Sequence, residues 1–325
     1  MVSRVEQIKR NAQNSPFKIK GNKSSNKGKH NKGNKNQKDD MDKFIDKLNT
    51  LRNLDEYTVR KITKKGEIAD FIAEYFTNPK NKVLNTNQLR DIYISLKKID
   101  NLDKNWLDLK LYYNLFLLDI QLKHEKNVIP PKFYGLMISI TDIVNKIKDE
   151  EEKVQNIDKI ILLMESVVGY QKFHKLDKNM KNKGLIEKHL TIDKEYLINL
   201  EKNDMYLEDI SEIVKSLNST VDSVKMYQLR KIFNETRYIE HFSNDWSIIE
   251  EKFYKLYPKL AYIAGRELIP LSFYKLLTQC MDVIDESAAD EKIVLFKNFI
   301  KYQESLISLT TYENKKNFFK VNNNV

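Results

Sequence analysis

Glycine is scarce. The 325-residue chain has eight, and three of them (Gly21, Gly28, Gly33) fall in the first forty positions. The rest are scattered singly, so no cluster exists to bring backbone amides against a phosphate as in Gly-x-Gly-x-x-Gly or Walker-type loops. The same scarcity disfavours hairpin-rich sheets, which use glycine at turns of positive φ. One cysteine, Cys280, excludes an internal disulfide and a thiolate zinc site; its neighbours Leu276, Leu277, Met281, Val283 and Ile284 read as core of a protein in a reducing cytoplasm. The five histidines (His30, His124, His174, His189, His241) stand apart, without metal-ligand spacing. No apolar run approaches the length of a membrane span, and the N-terminus lacks the apolar core of a secretion signal.

What is present is a polar, helix-forming chain, 41% hydrophobic and 31% charged, with six prolines. Its length suits two domains of ordinary size, and its composition an all-α fold. The net charge of +10 is unevenly spread: residues 1–40 hold eleven Lys or Arg against three acids. Beyond residue 40 the chain is nearly neutral, with 45 basic and 43 acidic residues. From Lys20 to Asp40 there is no apolar side chain, so residues 1–40 read as a disordered basic tail. Such a tail attracts nucleic acid by counterion release; an unselected Lys/Asn-rich linker has the same composition, and both readings stand.

From Asp42 onward apolar residues recur at spacings of three and four, as in Ile68, Phe71, Ile72, Tyr75 and in Ile160, Ile161, Met164, Val167, Val168. Asn78-Pro79, Ile129-Pro130-Pro131 and Ile269-Pro270 mark stops and starts. A constant offset of 140 aligns Gln88-Leu89-Arg90 with Gln228-Leu229-Arg230, Ile92 with Ile232, Trp106 with Trp246 and Ile129-Pro130 with Ile269-Pro270. It also aligns Phe133-Tyr134 with Phe273-Tyr274, Leu136 with Leu276 and Asp142 with Asp282. The chain is therefore expected to be a tandem duplication. A polar stretch, Lys175–Lys188, separates the two halves, and the expected layout is a tail (1–40), an accessory helical segment (41–80), a first helical domain (81–176), a linker and connecting helix (177–220), a second helical domain (221–315) and a polar tail (316–325).

Catalytic constellations are missing. Acidic runs such as Asp149-Glu150-Glu151-Glu152 fan out by about 100° per residue on a helix and do not converge on one atom. Arg237 and His241 come near the paired Arg and His of helical ribonucleases of the HEPN type, at a shorter spacing than that motif has. No catalytic residue, metal site or cofactor is expected.

The segment Leu256-Tyr-Pro-Lys-Leu-Ala-Tyr-Ile-Ala-Gly-Arg266 closely resembles the Pro-Lys-Leu-Ala-Tyr-x-x-Gly-Arg signature of the small α-helical subunit of type III-A CRISPR–Cas (Csm) effector complexes. Gln228-Leu-Arg-Lys-Ile-Phe-Asn234 is similar to that family's first helix, and Glu165-Ser-Val-Val-Gly-Tyr-Gln-Lys-Phe173 to its closing helix. The resemblance covers roughly 86–175 and 222–312 and is more specific in the second copy. In the first copy Lys259, Tyr262 and Arg266 are matched by Asp119, Leu122 and Lys126, a charge reversal at 119. The resemblance implies a non-catalytic, cytoplasmic subunit that stacks with copies of itself beside RAMP-type backbone subunits and the large signalling subunit. It also implies that the chain lines the groove for guide RNA and target RNA during antiviral defence.

On a helix Lys259, Tyr262 and Arg266 share one stripe beside an apolar face of Leu256, Leu260, Ile263 and Ala264, and Arg230, Asn234 and Arg237 repeat the spacing. Lys259, Arg266, Tyr262, Arg230 and Arg237, with Arg90 and Lys126 in the first copy, are the expected RNA contacts. The rival reading is a solvated face on a protein-binding scaffold, with Tyr262 packing and Ala261, Ala264 and Gly265 admitting a neighbouring helix. Pro258 should start or kink its helix.

Overall fold

The computed structural model describes residues 38–102, 105–182, 192–200, 210–214 and 226–322; the expected tail over 1–37 and most of the expected linker lie outside them. Among the described residues the fold is all-α. It opens with α1 (Asp40–Thr50), α2 (Val59–Thr63) and α3 (Ile68–Thr77). The first repeat follows as α4 (Thr86–Asp100), α5 (Trp106–Glu125), α6 (Pro131–Lys146) and α7 (Glu150–Asn182). After a short α8 (Lys194–Ile198), the second repeat runs α9 (Met226–Phe242), α10 (Trp246–Tyr254), α11 (Leu256–Gly265), α12 (Leu271–Glu286) and α13 (Ala289–Asn322).

Several starts are written in the sequence as polar caps. Asp39 with Asp42, and Asn85 with Gln88, form reciprocal capping boxes on α1 and α4, and Asn105 and Asp245 cap α5 and α10. Asp39 and Asp40, counted with the tail from composition, thus form the cap and first turn of α1. The polar stretch from Lys175 continues α7 as far as Asn182, because no glycine or proline interrupts it before Gly184. α13 likewise runs past residue 316 to Asn322.

The offset of 140 holds through the architecture. α4 and α9 begin at Thr86 and Met226, α5 and α10 at Trp106 and Trp246, α6 and α12 at Pro131 and Leu271. Buried pairs follow in register: Leu89/Leu229, Ile92/Ile232, Leu109/Ile249, Tyr113/Phe253, Ile120/Leu260, Phe133/Phe273 and Val144/Ile284. Even the left-handed residues match, Asn127 at φ 55° and Glu267 at φ 56°. Each ends its helix in a Schellman turn: Asn127 and Val128 amides donate to His124 and Lys123 carbonyls, Glu267 and Leu268 amides to Ala264 and Ile263.

One difference has a visible cause. α5 is a continuous helix, whereas its counterpart is divided at Lys255 into α10 and α11. Pro258, in the first turn of α11, lacks the amide that would bond back across the break; Leu118 stands at its place in α5.

The repeats share one core. α7 is buried nearly all round through Ile157, Ile160, Ile161, Met164, Val167 and Tyr170, and it packs on α2 to α6 and on α11 of the second repeat. Gly169 lies under Pro258, and Gly265 lies on the backbone of Lys172 and Phe173, so α7 and α11 cross with no side chain between them at either point. Phe173 and Tyr274 rings, 4.5 Å apart, extend the contact.

Candidate nucleic-acid interface

α9 and α11 carry the cations expected at an RNA surface. α9 buries Leu229, Ile232, Thr236 and Ile239, which turns Arg230, Asn234 and His241 outward and leaves Arg237 half-buried. α11 is buried on two sides: Leu256 and Leu260 face its own repeat, while Pro258, Ala261 and Gly265 lie toward α7. What remains outward is the stripe of Lys259, Tyr262 and Arg266, with Lys259 and Arg266 exposed and Tyr262 partly so.

These cations differ in what holds them. Lys259 donates to the Glu235 carboxylate on α9, tying the two helices together. Arg237 lies 3.7 Å from Glu240 and 5.7 Å over the Phe233 ring. Arg266, just beyond α11, stacks 5.6 Å from the centroid of Tyr262, which fixes its direction without neutralising it. Arg230 is exposed on the first turns of α9. The equivalent contacts in the first repeat are weaker in positive charge: Ser95 donates to Asp119 where Glu235 and Lys259 meet, and Asp119 is also held by Lys123. Arg90 and Lys126 are exposed there, at the places of Arg230 and Arg266.

A feature not foreseen from the sequence joins Arg237 to a distant helix. A surface cleft of about 430 Å³ is lined by Arg237, Glu240 and His241 of α9 and by Lys297, Lys301 and Glu304 of α13. The Lys297, Lys301 and Glu304 spacing is a helical stripe, but nothing in it announces α9 as its neighbour sixty residues upstream. The first repeat has Ile157, Ile161 and Met164 at those three positions, all buried, so the cleft belongs to the second repeat alone. Among the described residues no group of His, Cys, Asp and Glu is placed to hold a metal ion.

A second cluster pins α2 to the second repeat. The Asp285 carboxylate, with a fully buried side chain, accepts two 2.7 Å bonds from the Arg60 guanidinium, a 2.6 Å bond from the Tyr254 hydroxyl and one from Lys64. Burial alone raises its pKa, but the three donors outweigh that and hold it well below the usual carboxylate range. Neighbouring Asp282, which accepts a 2.9 Å bond from the Tyr257 hydroxyl, is raised by burial instead.

The sequence model of the family described as Csm2 Type III-A matches residues 56–177 and again 201–315. The chain belongs to the Csm2 family. It is a small subunit of the type III-A CRISPR complex in a two-copy form, and the family is a structural one within the Csm complex. No curated protein and no solved structure matches the chain. The first Csm2 region takes in α2 and α3 as well as α4 to α7, and the second ends within α13. The α7–α11 crossing and the Arg60–Asp285 cluster therefore both join one Csm2 region to the other. No helix among the described residues is long and apolar enough to cross a membrane.

Proposed function

We propose that the second repeat lines the groove for guide and target RNA in the type III-A complex, and that the chain helps hold the target strand without cutting it. The observation that carries this reading is the division of labour on α11. Its small residues and proline are spent against α7, while Lys259, Tyr262 and Arg266 stay outward beside Arg230 of α9. Two exposed cations flanking a partly exposed aromatic suit a sugar-phosphate strand, each cation acting on a phosphate without reading the base. The first repeat, with Asp119 and Leu122 on the same line, contributes less to RNA and more to protein contacts. The partners of this reading are guide RNA, target RNA, RAMP-type backbone subunits, the large signalling subunit and other copies of the chain, in the cytoplasm.

The test uses the chain trimmed of residues 1–37, so that the basic tail does not mask the folded surface. Binding to single-stranded RNA is measured against salt for this chain and for its Lys259→Glu/Arg266→Glu variant. Removing two phosphate contacts lowers the slope of log K against log salt by about 1.4, with the RNA recovered uncut. An unchanged slope supports a scaffold that binds only protein. RNA cleavage that disappears in His241→Ala would replace positioning with a nuclease centred on the α9–α13 cleft.

A further inference from the structure

The outward side of α9 carries rings that its core does not use. Tyr227, Tyr238 and Phe242 are 59%, 61% and 51% exposed, while the buried side of the helix is filled by Leu229, Ile232, Thr236 and Ile239. Seen down the helix axis, the three rings fall within an arc of about 60°. In the first repeat the same positions are Asn87, Lys98 and Leu102, so the fold of a repeat does not require them. Exposed aromatics gathered on one side of a helix mark an interaction site.

Two contacts fix what lies alongside. Lys252 of α10 stands 4.3 Å over the Phe242 ring, and Lys259 of α11 donates to Glu235. Seven residues forward along α10 and α11 are therefore seven residues back along α9, and the two run antiparallel. The same register brings Lys255 to the level of Tyr238 and Arg266 to the level of Tyr227. One edge of this strip is cationic, with Lys252, Lys255, Lys259 and Arg266, and the other is aromatic, over a length of about 22 Å. Glu235, the acid between the edges, is held by Lys259.

Rings beside a row of cations suit an unpaired nucleic-acid strand, whose phosphates meet the cations and whose bases stack on the rings. Charge complementarity favours this occupant over an apolar protein segment, which offers nothing to the cationic edge. The spacing of the rings favours a single strand over a duplex. The Tyr238 and Phe242 centroids are 6.4 Å apart with the rings tilted by 51°, whereas stacked bases in a duplex strand step by about 3.4 Å. Neighbouring bases cover both rings only in a strand whose own stacking has opened.

We infer that Tyr238 and Phe242 form a base-stacking platform for unpaired RNA, which extends the Lys259–Arg266 surface along α10 and selects single strands over duplex. The inference rests on the RNA reading above and adds contacts to bases where that reading has contacts to phosphates.

The full chain is titrated into a uridine-rich single strand carrying 2-aminopurine at every third position, a base whose fluorescence is quenched when it stacks on a ring. The natural chain quenches it, and Tyr238→Phe keeps the quenching. Tyr238→Leu/Phe242→Leu, which alters only exposed positions, loses most of it and binds the strand more weakly by about tenfold for each ring. The slope of log K against log salt and the binding of duplex RNA stay unchanged, with circular dichroism to verify the fold. Binding by the natural chain without quenching overturns the platform and leaves the phosphate contacts standing. A Tyr238→Leu/Phe242→Leu chain that binds and quenches like the natural one does the same, and leaves the rings to a protein partner. Equal weakening toward single strand and duplex makes the rings structural and also overturns it. Failure of the RNA reading looks different: the natural chain then shows no salt slope that Lys259→Glu/Arg266→Glu lowers, and the platform falls with it.

Discussion

Gly265→Ala is expected to destabilise the chain by about 3 kcal/mol, although alanine is the better helix former by about 1 kcal/mol. A Cβ there would overlap the carbonyl carbon of Lys172 and stand 2.5 Å from the Phe173 amide nitrogen. Those are backbone atoms of a buried helix, so no side chain can swing aside; α11 must lift off α7, and the shared core opens with it. Gly169→Ala meets the same obstacle from the other helix, 2.5 Å from the Pro258 carbonyl oxygen. Gly135, on α6, is the control: its Cβ would find only Ile45 Cδ1 at 3.8 Å, ordinary contact distance. Thermal unfolding followed by circular dichroism should therefore show Gly265→Ala and Gly169→Ala melting several degrees lower and Gly135→Ala slightly higher. If all three melt together, α7 and α11 do not cross so closely.

Asp285→Asn should cost about 3 kcal/mol, because it leaves Lys64, nearly buried, and Arg60 without the carboxylate between them. The pH dependence has a definite sign. The folded pKa of Asp285 is depressed, so its contribution is fully present above the unfolded carboxylate value of about 3.9 and is lost as pH falls from there toward the folded value. Melting temperature should be flat between about pH 7 and 5 on this account and fall below about pH 4, with a smaller acid loss in Asp285→Asn. Asp39, held well below the usual range against its burial by Lys132, the Asp42 amide and Tyr75, adds to the same acid limb. An Asp285→Asn chain that melts like the natural one would show that α2 is held to the second repeat by packing alone.

The duplication was legible in the sequence because it is gapless: Trp106 with Trp246, and Ile129-Pro130 with Ile269-Pro270, predict element starts that coincide in register. Pro258 announced the break after α10, and Ala261, Ala264 and Gly265 announced a close neighbour for α11. The identity of that neighbour was hidden, since α7 lies some ninety residues upstream and Gly169 is a lone glycine in an ordinary helical pattern. Long-range charge pairing was hidden for the same reason: Arg60 and Asp285 are 225 residues apart, and each alone reads as a solvated charge. Lys259 was legible as an outward cation, but its tether to Glu235 depends on the packing of two helices.

The crossing at Gly169 and Gly265 makes the two Csm2 regions parts of one body, so the chain should occupy two adjacent small-subunit positions in the type III-A complex. Native mass measurement of the assembled complex, counting small-subunit chains against RAMP-type backbone subunits, tests this directly. One chain is expected for every two backbone subunits that carry a small-subunit position. One chain for every such subunit, or a complex that assembles fully without the chain, would contradict it.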